Sequence, residues 1–190
     1  MEEEIKKLDL KNDVRFLDPK ELIDQLDIPV GSAIAVFGSS SGFFTLPMAK
    51  KMNGLGKIYA LEIVKEKIEA LQSQAKLAGL ANIITNRVNL EVLDGSKLPE
   101  DCVDWVFMIN MLFENRNKKQ IISEALRILR DEGKILIVEW ERKESLVGPD
   151  VSVRISKEAL VELAYALDLT IEKEIKVSEY HYCLIFNKQK

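Results

Sequence analysis

The chain has 190 residues, of which 47% are hydrophobic and 31% are charged, and this is the composition of one globular domain over 1–190. Its longest apolar run, residues 105–113, is far shorter than the roughly 20 residues of a membrane-spanning helix. A net charge of −4 argues against a nucleic-acid partner, and two distant cysteines with one histidine lack the spacing of a metal site. We therefore expect neither a membrane protein nor a metalloprotein.

The N-terminal segment "MEEEIKKLDLKND" is acidic and lacks the basic and then apolar order of a signal peptide. This pattern predicts a cytoplasmic protein. Residues 1–17 are interpreted as an N-terminal extension that is flexible or forms a lid.

From residue 18 onward the hydrophobic pattern alternates between a helical period and a strand period. Asp18 caps the first predicted helix and Pro19 occupies its first position. In chain order the predicted elements are a helix after Asp18, a strand over 32–37, a helix through 51, a strand over 57–63, a helix over 65–78, strands near 84–93 and over 104–110, a helix over 117–130, a strand over 134–140, a helix over 156–167, and strands over 169–177 and 180–188.

This alternation of helices and strands predicts the α/β fold class. The continuous apolar run over 134–140 is typical of a central parallel strand. The last two predicted strands are joined by a connection too short for a parallel crossover, so they must be antiparallel.

In an open α/β sheet, ligands bind beyond the carboxyl ends of the parallel strands. Gly38 and Gly42 bracket the turn after the first strand, and the following helix start suits an anion. Glu62 ends the second strand, where a carboxylate can accept the hydroxyls of a ribose; otherwise it is a surface glutamate. Asp94 either bonds an exocyclic amine such as that of adenine or simply forms an Asp-Gly turn.

Six segments together resemble the class I S-adenosylmethionine-dependent methyltransferase family: "AVFGSSSGFFTLPMAKK", "GKIYALEI", "LDG", "VDWVFMINMLFE", "EALRILRDEGKILIVEW" and "YHYCLIF". The resemblance covers residues 18–188 and is closest to small single-domain members similar to the ubiquinone and menaquinone enzymes. It implies a Rossmann-like three-layer sandwich, a seven-stranded, mostly parallel sheet with an antiparallel C-terminal strand, and S-adenosylmethionine as cofactor.

The resemblance also implies which residues bind the cofactor. The loop after the first strand would approach the methionine part, Glu62 the ribose, Asp94 and Gly95 the adenine, and Asn110 with Met111 the methionine end. The predicted cofactor-binding set is Gly38, Ser39, Ser40, Gly42, Glu62, Ile63, Asp94, Gly95, Asn110 and Met111.

The chain departs from the family's acid-x-Gly-x-Gly-x-Gly motif, because Val36 replaces the acid and Ser40 the middle glycine. A lost bond to the charged donor would cost about 1.5 to 3 kcal/mol. Serine would add about 1 to 2 kcal/mol if position 40 is left-handed. We hypothesise that the hydroxyls of residues 39–41 compensate by bonding the methionine carboxylate.

Transfer of a methyl group by in-line displacement depends mainly on positioning and requires no obligatory catalytic residue. A phenol or a protonated amine as acceptor would also need a base. The catalytic residues are unassigned, with rim candidates Glu114, Glu139, Glu141, Arg154 and His181. Arg154 would anchor an acidic substrate, whereas His181, the single histidine, is expected to be a turn or strand residue rather than a base.

A small-molecule acceptor is favoured over nucleic acid, because "NMLFEN" stands where many amino-group methylases of nucleic acids carry Asn/Asp-Pro-Pro-Tyr. A homodimer is left open. The main rival is a noncatalytic binding module with weakened or lost donor binding, suggested by Val36 and Ser40. A nicotinamide dehydrogenase would need the G-x-G-x-x-G order, and a phosphate-binding loop would need the P-loop lysine.

Overall fold

The computed structural model describes residues 17–188, so the predicted N-terminal extension, apart from Leu17, lies outside the described residues. Residues 17–188 form five helices and seven strands. The helices are α1 (Pro19–Asp24), α2 (Thr45–Lys51), α3 (Lys65–Leu77), α4 (Lys118–Ile128) and α5 (Lys157–Tyr165). The strands are β1 (Ala33–Phe37), β2 (Lys57–Glu62), β3 (Ile83–Arg87), β4 (Val103–Ile109), β5 (Leu129–Trp140), β6 (Leu169–Lys176) and β7 (His181–Lys188).

All seven strands form one sheet in the order β3-β2-β1-β4-β5-β7-β6. The pairings among β1 to β5 are parallel, and β7 is antiparallel to both β5 and β6. The predicted seven-stranded, mostly parallel sheet with an antiparallel C-terminal strand is therefore confirmed. Along the chain, strands are added outward from β1 to β3, and β4 then lies on the other side of β1. Such a topological switch point is where α/β sheets bind ligands.

The sheet is covered by helices on both faces, which gives the predicted three layers. Alternate β1 residues point to opposite faces, as the strand period requires. Ile34 and Val36 join the core that contains α1 and α2 residues, whereas Ala35 and Phe37 join the core that contains α4 and α5 residues. The buried β1 strand thus fixes the loop that follows it between two packed layers.

The predicted boundaries that differ most from the structure are those of β3, α4 and β5, and β5 begins at Leu129 rather than at 134. β3 ends at Arg87 rather than continuing through 93, and residues 88–93 instead form a loop and turn. Helix α4 ends at Ile128 rather than at 130, because Leu129 already pairs with Val103 of β4. The difference in β3 moves its carboxyl edge and therefore changes which residues lie at the ligand site.

No helix within residues 17–188 combines the length and the apolar character needed to cross a membrane.

Candidate functional site

A pocket of about 510 Å³ opens at the carboxyl edge of the parallel strands, within the usual size range of small-molecule sites. Each parallel strand contributes its end or the loop that follows it, and the antiparallel β7 contributes its start. The main lining segments are 38–40 after β1, 62–64 after β2, 88–91 after β3, 109–111 at β4, Trp140 at the end of β5 and His181 at the start of β7. The pocket therefore lies where the switch-point rule predicts a ligand site.

The glycines of the first loop allow close packing. Gly38 has φ +66°, and a Cβ added there would lie 3.1 Å from Met111 Cβ, so glycine lets the segment after β4 approach. Gly42 has φ +103°, and its added Cβ would lie 2.6 Å from Leu71 Cδ1 on α3. Gly38 lines the pocket, but Gly42 does not and instead allows α3 to pack on the loop.

Glu62 ties the first two loops together. Its Oε2 accepts from Ser40 N at 2.9 Å, and its Oε1 accepts from Ile63 N at 2.8 Å and Val64 N at 3.0 Å. A carboxylate oxygen accepts about two hydrogen bonds, so Oε1 is saturated and Oε2 keeps capacity for one more. Glu62 is only 6% exposed and lines the pocket, which leaves this one acceptor available to a ligand hydroxyl.

Ser40 adopts φ +50°, so the condition under which serine strains this position is met. Of the three loop serines, Ser39 and Ser40 line the pocket, while Ser41 is exposed outside it. Ser39 Oγ is buried and has no hydrogen-bond partner among the described residues. Val36 also lines the pocket and is 4% exposed, and its side chain offers no polar group.

The loop after β3 brings Asn89 to the pocket in place of Asp94 and Gly95, which lie outside it. Asp94 Oδ1 lies 3.2 Å from Arg127 Nε instead. A Cβ on Gly95 would lie 2.2 Å from Asn89 O, so glycine at this position lets the turn at Gly95 pack against the backbone of Asn89. Because β3 ends at Arg87, the residues at its carboxyl edge are 88–91.

At the end of β4, Asn110 is bonded to His181. Asn110 Nδ2 lies 3.0 Å from His181 Nε2, and His181 Nδ1 lies 2.9 Å from Ser178 Oγ. An amide nitrogen only donates, so Nε2 accepts and the neutral ring carries its proton on Nδ1. Asn110 Oδ1 is buried and, within residues 17–188, has no hydrogen-bond partner.

His181 is held by packing as well as by hydrogen bonds. Its ring centroid lies 4.1 Å from that of Trp140, and Arg154 Cζ lies 5.5 Å from the Trp140 ring. Burial, together with repulsion from Arg154, lowers the pKa of His181 to about 4. The imidazole is therefore neutral at pH 7, as the hydrogen bond that Nε2 accepts from Asn110 requires.

Arg154 orders the loop over residues 141–153 and does not line the pocket. It is 4% exposed, and its guanidinium donates to the carbonyl oxygens of Glu141, Lys143, Val147 and Pro149 and to Ser145 Oγ. Every guanidinium nitrogen is thus engaged within this loop. The contacts do not match the predicted anchoring of an acidic substrate, and Glu141 likewise lies outside the pocket.

Of the other two rim candidates, Glu139 is fully buried and Glu114 lines the pocket. Glu139 Oε1 accepts from Leu112 N at 2.6 Å, so Glu139 supports the loop after β4 from below. Burial raises the pKa of Glu139 to about 7. Glu114 therefore joins His181 as a predicted rim candidate that reaches the pocket.

Seven of the ten predicted cofactor residues line the pocket, namely Gly38, Ser39, Ser40, Glu62, Ile63, Asn110 and Met111. Asn89 and Trp140 are lining residues that sequence reasoning missed. Asn89 was missed because the apolar alternation continues past Arg87 and predicts strand there. Trp140 could have been predicted, because it ends a predicted strand at the edge where ligands bind. No cluster of three or more potential metal-ligating side chains occurs within 17–188.

Residues 37–187 match the family model described as a methyltransferase domain, which is most of the chain. The chain belongs to this methyltransferase family. The predicted class I S-adenosylmethionine-dependent family is confirmed, and S-adenosylmethionine is the cofactor of that family. The similarity to the ubiquinone-type subgroup stays a prediction.

Solved structures share the fold of this methyltransferase domain at low sequence identity. A SAM-dependent methyltransferase from Aquifex aeolicus aligns with a TM-score of 0.83 and 20% identity over 97% of this chain and 96% of its own. The [4+2]-cyclase SpnF aligns with a TM-score of 0.79 and 17% identity over 94% and 84%. Magnesium protoporphyrin IX methyltransferase from Synechocystis PCC 6803, solved with bound SAM, gives 0.68 and 13% over 90% and 76%.

Proposed function

We propose that this chain binds S-adenosylmethionine in the pocket and transfers its methyl group to a small-molecule acceptor. One observation carries the proposal: the lining residues Ser39 and Asn110 each have a buried side-chain oxygen, Oγ and Oδ1, without a hydrogen-bond partner among residues 17–188. Buried polar groups are normally hydrogen-bonded, so this wall fits a polar ligand. Glu62 adds one free acceptor position at the other side of β1.

The residues present fit the parts of this cofactor. Glu62 would accept a ribose hydroxyl, and Ser39 with the backbone at Gly38 would meet the amino-acid arm. Asn89, in place of Asp94 and Gly95, would meet the base beside the exposed apolar side chain of Ile63. The serine hydroxyl nearest this arm is that of Ser39, since Ser41 lies outside the pocket.

When bound, S-adenosylmethionine supplies a methyl group activated by its sulfonium. The chain's own contribution is to orient two reactants and to exclude water with the apolar walls at Val36, Phe44 and Trp140. His181 is a poor base at pH 7, because both ring nitrogens are engaged and burial lowers its pKa to about 4. Glu114 is the rim carboxylate positioned in the pocket to take a proton from an acceptor.

A small-molecule acceptor is supported by the way the basic residues of α4 and β5 are used. Arg127 pairs with Glu124 at 2.7 Å, and Arg130 pairs with Asp104 at 2.7 Å. Lys118 Nζ donates to Asn115 O. These three cations are paired or hydrogen-bonded within the fold, so they are less available to bind phosphates.

The rival function is a noncatalytic module that keeps the fold with weakened donor binding. It is supported by the strained φ of Ser40 and by the apolar side chain of Val36. SpnF, a protein named as a [4+2]-cyclase, has a similar fold, so this architecture does not by itself specify methyl transfer.

Calorimetric titration with S-adenosylmethionine and with S-adenosylhomocysteine separates the two functions. We expect the wild-type chain to bind both ligands. Glu62→Gln should weaken binding at least tenfold, because an amide NH₂ cannot accept from Ser40 N and the ribose acceptor is lost. Glu66→Gln, the same change at an exposed glutamate on α3, should leave binding unchanged. No heat from the wild type at millimolar ligand would overturn the enzyme proposal.

A further inference from the structure

The two halves of the pocket differ in their side chains. The half around the ends of β2 and β3 contains Glu62 and Asn89, which would meet the ribose and the base of the cofactor in the proposed function. The other half extends across β1 and β4 to Trp140 on β5 and His181 on β7. A methyl acceptor has to approach from a side that the nucleoside does not occupy, so the side chains of this second half select the acceptor.

The wall of the second half is apolar and aromatic. Leu17, Val36 and Phe44 belong to one buried cluster, and Ile109 packs against that cluster. Phe43 packs edge-on against Phe44, with ring centroids 5.5 Å apart, yet it is 61% exposed. A large aromatic side chain that is exposed at a pocket gains free energy when an apolar ligand group covers it. This wall therefore fits the hydrocarbon part of a ligand.

His181 brings no free polar atom to this half. Its Nε2 accepts from Asn110 Nδ2 at 3.0 Å, and its Nδ1 lies 2.9 Å from Ser178 Oγ. The imidazole is also neutral at pH 7, because burial lowers its pKa to about 4. His181 therefore offers a ligand the surface of a ring that packs on Trp140, rather than a hydrogen bond or a charge.

The charged lining residues are distributed unevenly. Among the lining residues within 17–188 the only Lys or Arg is Lys67, which lies on α3, the helix that follows β2. Glu62 accepts from three backbone amides, and Glu91 Oε1 accepts from the backbone amides of residues 116 and 117. Glu114, on the loop after β4, is exposed, and its carboxylate forms no ion pair or hydrogen bond within 17–188. Glu114 is thus the charged side chain that a ligand can pair with.

Arg154 does not offset this negative charge in the pocket. Its Cζ lies 5.5 Å from the Trp140 ring, but it does not line the pocket, and its guanidinium nitrogens donate to the loop over residues 141–153. An anionic ligand in the second half would meet an apolar wall and the like charge of Glu114, without a lining cation from the described residues of this half. Desolvation without a partner and like-charge repulsion both disfavour such a ligand.

We propose that the methyl acceptor is an apolar amine, whose hydrocarbon part packs against Phe43, Phe44 and Trp140 and whose ammonium group faces Glu114. This inference rests on the proposed function and names its substrate class. The wall selects the hydrocarbon part, and the Glu114 carboxylate selects the positive charge. The same two features reject acceptors that carry a carboxylate or a phosphate.

Three matched probes test the charge preference with the ring held constant. Phenethylamine, 2-phenylethanol and phenylacetate share a phenyl ring on a two-carbon chain and are cationic, neutral and anionic at pH 7. Each is titrated calorimetrically into the wild-type chain saturated with S-adenosylhomocysteine. We expect phenethylamine to bind at least tenfold more tightly than phenylacetate, with 2-phenylethanol between them. Tryptamine, tryptophol and indole-3-acetate repeat the comparison with a larger ring.

Substitutions of Glu114 test the source of the preference. Glu114→Gln should weaken phenethylamine binding about two- to fivefold and leave 2-phenylethanol unchanged, as expected for an exposed ion pair. Glu114→Lys should reverse the order, so that phenylacetate binds more tightly than phenethylamine. Glu162→Gln, the same change at an exposed glutamate of α5 outside the pocket, should leave all three affinities unchanged.

Phe43→Ala tests the apolar wall separately from the charge. It should weaken all three phenyl probes by about three- to tenfold, the usual worth of an aromatic contact, and keep their order. If Phe43→Ala weakens none of them, the hydrocarbon part does not pack where we propose, and the inference is wrong.

The remaining outcomes also decide the inference. It is overturned if phenylacetate binds as tightly as phenethylamine, if Glu114→Gln leaves their ratio unchanged, or if no member of either ring series binds. In each of these cases, wild-type binding of S-adenosylhomocysteine leaves the proposed cofactor site standing. A wild-type chain that does not bind S-adenosylhomocysteine defeats both proposals.

Discussion

The two ends of the pocket are built in opposite ways. At the β2 end, the Glu62 carboxylate holds three backbone amides from two loops that lie within 25 residues of each other. At the β7 end, Asn110 and His181 meet although 71 residues separate them, and Trp140 packs beside them. The β2 end is therefore held by backbone hydrogen bonds between segments near in sequence, whereas the β7 end is formed by side chains that are distant in sequence.

This difference decides how each end responds to change. Backbone amides persist in most substitutions, so the β2 end depends mainly on one carboxylate and on loop conformation. The β7 end depends on several side chains that must each be present. It also depends on the 141–153 loop, which is ordered by Arg154, the residue that packs against Trp140. Substitutions in that loop should therefore damage the β7 end and spare the β2 end.

Arg154→Ala is expected to have the largest effect on stability. Removal of the buried guanidinium leaves several loop carbonyls without donors, so the free energy of unfolding should fall by about 3 kcal/mol or more. Urea denaturation measures this loss. Arg142→Ala, at an exposed position of the same loop, should change stability by less than about 0.5 kcal/mol.

The same variant tests the contrast between the two ends directly. The folded fraction of Arg154→Ala should keep its affinity for 5′-methylthioadenosine, which contacts the β2 end in the proposed binding mode. Equal stability of the two arginine variants, or loss of methylthioadenosine binding in folded Arg154→Ala, would show that the two ends are not independent.

Glu139→Gln should change how stability depends on pH. Burial raises the pKa of Glu139 from 4.5 to about 7, so the folded chain retains a proton that the unfolded chain releases, and stability falls as pH rises from about 4.5 through 7. His181 has the opposite effect. Because its pKa is lowered from 6.5 to about 4, its contribution to stability rises as pH rises from about 4 to 6.5. Glu139→Gln removes only the Glu139 contribution, which is the one that lowers stability as pH rises.

Urea unfolding at pH 5 and at pH 8 measures this change. Relative to wild type, Glu139→Gln should gain up to about 3 kcal/mol of stability between the two pH values. Glu141→Gln, the same substitution at the part-buried glutamate two residues on, is the matched control and should show no such gain. If the free energies of unfolding of Glu139→Gln and wild type differ by the same amount at both pH values, the pKa of Glu139 is not raised by burial in the folded chain.

The β2 end was predictable from sequence because its parts are local. The strand, the glycine loop and Glu62 follow one another along the chain, and parallel strands bring their carboxyl ends to one edge. The antiparallel β7 was also predictable, since its connection to β6 is too short for any other arrangement.

Two features could not be predicted, for different physical reasons. Val88 and Leu90 keep the strand-like alternation because they pack into the core after the backbone has left the sheet, so the pattern predicted that β3 continues to 93. The contact between Asn110 and His181 has no local signal at all, because it arises from the register that places β7 beside β5.

Ser40→Gly is expected to have the smallest effect and concerns the backbone at the β2 end. Glycine would relieve about 1 to 2 kcal/mol of left-handed strain but would cost about 0.5 to 1 kcal/mol through the entropy of the unfolded chain. The net gain of about 0.5 to 1 kcal/mol should raise the melting temperature by roughly 1 to 4 °C. Ser41→Gly, at a residue without positive φ, should instead lower it. Because glycine keeps the amide that donates to Glu62, a Ser40→Gly variant that melts as low as Ser41→Gly would place the stabilising role in the Ser40 side chain rather than in its backbone.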